Sequence, residues 1–195
     1  MPHIPPIPRE ELPQYESLFA LIEGAMGFVP SSLRTMAHVP PLLDGFLGLA
    51  PSVMANPLLS SELVNLVSHV TSSASGCRYC QAHTGATAAN QGTDPAKIAA
   101  AWEFETSELF TDAARAALRL AFHAGITPNA ATEDDFAELR KHYSTEEIVS
   151  IVGVISLFGW LNRWNDTVAT QLEDEPGSFA RSTLTDVGWE VGKHE

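Results

Sequence analysis

Basic residues are scarce in this chain. Eleven lysines and arginines stand against 24 aspartates and glutamates, leaving a formal net charge of −13 over 195 residues. That balance opposes docking on phosphate backbones or anionic lipid, so neither nucleic acid nor a membrane surface is an expected partner. Long apolar runs are lacking too: no stretch approaches 18 uninterrupted apolar residues. The opening Met1-Pro2-His3-Ile4-Pro5-Pro6-Ile7-Pro8 carries no basic region ahead of an apolar run, and we expect no secretory leader and a soluble, cytoplasmic protein. Strand signals are nearly absent, with no convincing hairpin or βαβ unit. This disfavours the sheet that precedes a thioredoxin-type redox motif. Scarcest of all is cysteine. There are two, Cys77 and Cys80, and a reducing cytosol makes a lone pair catalytic, redox-active or metal-binding more readily than a permanent staple.

What the chain does contain is helical patterning. At 45% apolar composition it has enough to bury one substantial core. Leu18, Ala20, Leu21 and Ala25 follow a helical stripe that Gly27 ends, and Pro40-Pro41 opens a segment with Leu42, Phe46 and Leu49. Leu63, Leu66, Val67 and Val70 keep the period until the small residues Thr71 to Gly76 predict an end or a bend. Asp94-Pro95, Thr111-Asp112, Thr132 to Asp135 and the capping box Ser144 with Glu147 mark further starts, the last opening the longest helix, from about Thr145 to Leu172. The expectation is an all-α domain of about eight helices over residues 1–172, with an extended proline-rich start at 1–14. Residues 173–195, rich in Asp, Glu, Pro, Gly and Ser, read as an acidic, mobile or partner-dependent tail.

Gly76-Cys77-Arg78-Tyr79-Cys80-Gln81-Ala82-His83 concentrates the chemistry. Two cysteines fall three apart in only about one per cent of random placements. Ser75 or Gly76 is a candidate cap, which puts both sulfurs at a helix start, near free backbone N–H groups and the positive end of the dipole. Lowering a thiol pKa from about 8.5 toward 7 takes about 2 kcal/mol, within reach of a helix end plus one base. Redox activity, metal ligation and an inert buried pair all remain open, redox activity leading because no further cysteines complete a metal set. His83 titrates near neutrality within reach of both thiols. Glu62 and His69 share one face of the preceding helix and are candidates to orient it, although Glu62 also suits a first-turn carboxylate and His69 a core histidine. The polar cluster Asn162, Arg163, Asn165 and Asp166, flanked by Trp160 and Trp164, reads as a core or interface network.

The order Leu59-Ser60-Ser61-Glu62-Leu63-Val64, Gly76-Cys77-Arg78-Tyr79-Cys80, His83-Thr84 and Gly92 resembles the alkylhydroperoxidase-like (AhpD-like) branch of the carboxymuconolactone decarboxylase superfamily. Gly27-Phe28-Val29-Pro30, Met36-Ala37-His38 and Phe110 to Ala116 resemble its flanks, so the likeness runs from about Gly27 to Glu173. It implies an all-helical, usually oligomeric protein with thiol peroxidase activity, needing no cofactor and no metal. Its substrate would be a small hydroperoxide and its regenerating partner an external thiol or disulfide-reductant protein. It further implies Cys80 as the peroxidatic residue, Cys77 as its resolving partner and His83 as the base. The family's histidine usually falls four residues after the second cysteine, whereas His83 falls three after Cys80. Its glutamate usually stands twelve before the first cysteine, where this chain has Asn65. The expectation is therefore a relay rebuilt from Glu62 or His69. A cofactor-free lyase of the decarboxylase type and a non-catalytic redox-sensing protein are the alternatives.

Overall fold

In the computed structural model, which describes residues 1–195, local side chains set most helix starts. Ser60 Oγ accepts the Leu63 N–H at 3.2 Å, Thr111 Oγ1 that of Ala114 at 3.2 Å, and Asp94 Oδ1 that of Ala96 at 2.8 Å ahead of Pro95. Ser144 and Glu147 cap each other reciprocally, as do Thr132 and Asp135. The α-helices are α1 Glu16–Met26, α2 Ser31–Met36, α3 Pro40–Met54, α4 Ser61–Ala74, α5 Arg78–Asn90, α6 Pro95–Ala99, α7 Asp112–Gly125, α8 Glu133–Leu139, α9 Thr145–Val168 and α10 Asp174–Thr183. There is no strand, as the patterning predicts.

α4 is the central helix. Its Val64, Leu66, Val67 and Val70 join Ala117, Leu118 and Ala121 of α7 and Ile151, Val154 and Ile155 of α9 in the main core. α4 ends inside the small-residue stretch, after Ala74, as the patterning predicts, and stays regular up to that point. Ser68, Thr71 and Ser72 donate their hydroxyls to carbonyls four residues back at 2.7 to 2.8 Å, so their polar atoms are satisfied inside the helix and can be buried. The reversal comes after Ala74, at Gly76 with φ +75°, a conformation that favours glycine, and it delivers Cys77 to the start of α5. A second cluster gathers Leu12, Phe19, Leu33, Met36 and Leu43 from the N-terminal segments against Trp164.

Residues 173–195 depart from expectation. They form α10 and two short 3₁₀ turns, and Ala180, Leu184 and Trp189 are buried against Ala82 and Ala88 of α5 and Ile98 of α6. The polar composition suggested a solvated tail, but the apolar residues fall on one side of α10 and meet a matching surface. Gly85 supplies it: a Cβ there would stand 2.8 Å from Phe179 Cε1, so the missing side chain is what lets α10 lie on α5. By length and composition alone α9 could cross a membrane, yet its Ile151, Val154, Leu157 and Phe158 are buried in the protein, and its exposed side carries Val149, Val152 and Trp160.

Candidate active site

Cys77 is the N-cap of α5, and its Sγ accepts the Cys80 N–H at 3.4 Å. Both cysteines are free and buried, Cys77 at 0% and Cys80 at 3% exposure. Asn165 of α9 donates from Nδ2 to Cys80 Sγ at 3.4 Å, and its own Oδ1 is held by the Thr170 hydroxyl at 2.8 Å. Burial pushes the Cys80 thiol well above its ordinary range, and the adjacent Cys77 sulfur pushes the same way against the Asn165 hydrogen bond. This corrects the expectation of an acidified thiol for Cys80, because the field of a helix end is outweighed once water is excluded from the sulfur.

One helical turn beyond Cys80, His83 Nε2 meets Glu173 Oε2 at 2.6 Å, with both side chains 12% exposed. Glu173 Oε1 also accepts the Tyr79 hydroxyl at 3.1 Å and the Ser31 N–H. Burial would raise this carboxyl, but the His83 charge and the hydrogen bonds from His83 and backbone N–H groups outweigh it and hold the carboxyl below its usual range. Tyr79 stacks on the His83 ring at 4.1 Å and Phe28 meets it edge-on at 5.2 Å, so the imidazole is fixed on three sides. The polar partner of His83 thus comes from the N-cap of α10, 90 residues away in sequence. The acidic run Glu173-Asp174-Glu175 before Pro176 carried the signal, a helix N-terminus, that a reading of the segment as a tail passed over.

Glu62 does not join this group. It lies half-exposed on the first turn of α4 and pairs with Lys97 at 2.5 Å. Its helix face is solvated there, and the surface ammonium takes the charge. Asn65, in the position the family gives to glutamate, donates to Gln91 at 2.9 Å. His69 is buried, but it pairs with Thr84 Oγ1 at 3.0 Å, makes no hydrogen bond to either sulfur, and is driven by burial to a pKa of about 4 despite a hydrogen bond to the Gln81 backbone. It also lines a cavity of about 260 Å³ with Gly76, Arg78, Gln81, Trp102 and Trp189, which neither cysteine reaches.

On the other side of Cys77, its sulfur, an Asp166 carboxylate oxygen and a His194 ring nitrogen lie within 4.8 Å of one another. Sulfur, nitrogen and oxygen donors at that spacing could hold a divalent ion such as zinc, although Lys193 already occupies Asp166 Oδ2 at 2.9 Å and opposes a second cation. Reading the sequence alone missed His194 and Glu173, and placed Asn165 and Asp166 only in a generic polar network.

Residues 40–123, from α3 through most of α7, match the carboxymuconolactone decarboxylase family. No curated protein matches the chain significantly. Among solved structures, the debrominase Bmp8 in complex with 2,3,4-tribromopyrrole, as a cysteine-to-alanine variant, is 33% identical over 92% of this chain and 96% of its own, with a TM-score of 0.87. Apo Bmp8 gives 34% identity, 92% and 97% coverage and a TM-score of 0.86. The fold is shared with a peroxidase-related protein with an AhpD core from Ralstonia eutropha JMP134, 24% identical over 92% of this chain and 95% of its own, TM-score 0.80. With near-complete coverage of a relative above 30% identity, and the family match falling on the helices that carry the cysteines, the chain belongs to the carboxymuconolactone decarboxylase family.

Proposed function

We propose that the protein is a thiol-dependent reductase of small hydroperoxides, working through Cys77 and Cys80 and regenerated by an external thiol. The observation that carries this is the placement of two reduced cysteines at the start of α5 with the His83 and Glu173 pair one turn on. His83 takes the Cys80 proton and Glu173 stabilises the imidazolium. Cys80 thiolate attacks the terminal peroxide oxygen, forming a sulfenic acid and releasing an alkoxide that His83 protonates. Cys77 then displaces hydroxide from the Cys80 sulfur, so that ROOH and two thiols become ROH, water and one disulfide. Burial of both sulfurs favours a small oxidant over a folded protein disulfide at this step, while regeneration requires the α5 start to open. The exposed face of α9 with Val149, Val152 and Trp160 is where we place contact between copies of the chain.

A second reading, reductive dehalogenation, is favoured by the 33% identity to a debrominase. The electrons balance in the same way: ArBr and two thiols give ArH, bromide, a proton and one disulfide. The deciding experiment supplies the reduced protein with cumene hydroperoxide or with 2,3,4-tribromopyrrole and counts alcohol or bromide formed against Cys77–Cys80 disulfide by mass spectrometry. One alcohol per disulfide, with sulfenic acid trapped at Cys80 in Cys77→Ser, is expected. Disulfide formed only with the bromopyrrole, with bromide release, replaces the first reading by the second, and oxidation at neither cysteine removes both.

A further inference from the structure

Two sulfurs must lose protons in a dithiol reduction, and the His83 and Glu173 pair serves one of them. The other is surrounded by the C-terminal segment. His194 is 1% exposed, and its Nδ1 lies 2.8 Å from the Thr170 carbonyl oxygen, which can only accept. Nδ1 therefore carries the ring hydrogen and Nε2 is a bare lone pair. That Nε2 is buried and has no hydrogen-bond partner, an arrangement that is costly and uncommon without a purpose. Asp166 Oδ1 lies 3.7 Å from it, too far to bond but close enough to stabilise a charge on the ring, and Cys77 Sγ completes the cluster within 4.8 Å.

We propose that His194 is the proton acceptor for Cys77, with Asp166 positioned to hold the imidazolium that forms. The inference rests on the dithiol reading above, in which Cys77 closes the disulfide. In that step the Cys77 proton passes to His194 Nε2, the Cys77 sulfur bonds to Cys80 Sγ, and the group on Cys80 leaves with the electron pair. When that group is hydroxide, the proton returned from His194 makes it water. The charged and titratable groups facing the ring are Asp166 from α9, Lys193 from its own segment, and Cys77 and Tyr79 from the start of α5, the Tyr79 ring centroid lying 5.9 Å away. With the ring hydrogen on Nδ1, the unpartnered Nε2 lone pair is free to accept. Cys77 Sγ already receives the Cys80 N–H.

His194→Asn is the informative variant, because its amide N–H replaces Nδ1–H on the Thr170 carbonyl while the Nε2 acceptor is lost. Reduced parent and variant are mixed with glutathione disulfide, quenched in acid at intervals, and the mixed disulfide and the closed Cys77–Cys80 form are followed by mass. Because no peroxide enters, failure of the peroxidase reading leaves this measurement intact. At pH 7 the variant should accumulate the mixed disulfide and close at least about tenfold more slowly, at the low edge of what a positioned base supplies. The deficit should shrink as pH rises, since hydroxide can then take the proton that His194 no longer accepts. Closure at the parent rate at pH 7, or slowing by one constant factor at every pH, overturns the proposal. Asp166→Asn should show a smaller loss with the same pH profile. Nitrogen-15 couplings of His194 in the unaltered protein give a check independent of any variant or oxidant: an Nε2–H tautomer overturns the proposal.

Discussion

Replacing Glu173 by glutamine separates the relay carboxylate placed by the fold from the one suggested by sequence spacing. Glu173 is largely buried and its carboxylate receives His83, Tyr79 and the Ser31 N–H. Hydrogen bonds to a buried charged group contribute about 1.5 to 3 kcal/mol each. The amide keeps a carbonyl for Tyr79 and Ser31, so we expect a loss of about 2 kcal/mol by urea unfolding at pH 7. Its pH dependence has a definite sign. The folded carboxyl lies below its unfolded value, so its stabilisation is complete above the unfolded carboxylate range of about 4.3 and is lost as pH falls through the folded value. The gap between parent and Glu173→Gln should therefore narrow toward acid. The rate of Cys80 oxidation, read by stopped-flow tryptophan fluorescence or quenched mass spectrometry, should fall by about a hundredfold, since the imidazolium at His83 loses its counter-charge. Glu62→Gln breaks only a surface pair with Lys97, worth at most about 1 kcal/mol, and should leave the rate unchanged. An equal loss in rate for Glu62→Gln, or none for Glu173→Gln, would refute the assignment.

Three further outcomes follow from the packing. His69 has a folded pKa of about 4 against an ordinary value of 6.5, so stability should be full above about 6.5 and decline by about 3 kcal/mol as pH falls to about 4; His69→Gln should flatten that part of the profile, and an unchanged acid slope would contradict it. Gly85→Ala puts a Cβ 2.8 Å from Phe179; helix propensity gains up to about 1 kcal/mol but overpacking costs about 1 to 3, so amide exchange in α10 should quicken, and a more protected α10 would show that the ring yields freely. Trp160, stacked on Phe46 at 5.4 Å and Trp164 at 5.5 Å on an exposed apolar face, should be needed for self-association; light scattering of Trp160→Glu should report a smaller mass than the parent, and identical masses would move the contact elsewhere.

Much of this protein was readable from local sequence because helices are local objects. Ser60, Asp94, Thr111 and Ser144 each satisfy a backbone donor two or three residues away, and such signals survive whatever the rest of the chain does. The same holds for Cys77 and Cys80 at a helix start with His83 one turn on, since spacing along one helix is fixed by its own geometry. Glu62 and His69 show where this stops. They share a face with Asn65, but spacing cannot say which neighbour that face meets, and packing sends Glu62 to Lys97 and His69 to Thr84. Glu173, Asn165 and His194 reach the sulfurs and His83 from 85 to 117 positions away along the chain, brought there by α9 crossing α5 and by α10 seating over Gly85. Those contacts depend on burial and shape complementarity between surfaces distant in sequence, and so does the elevation of the Cys80 thiol, because exclusion of water is a property of the assembled core and not of any eight-residue motif.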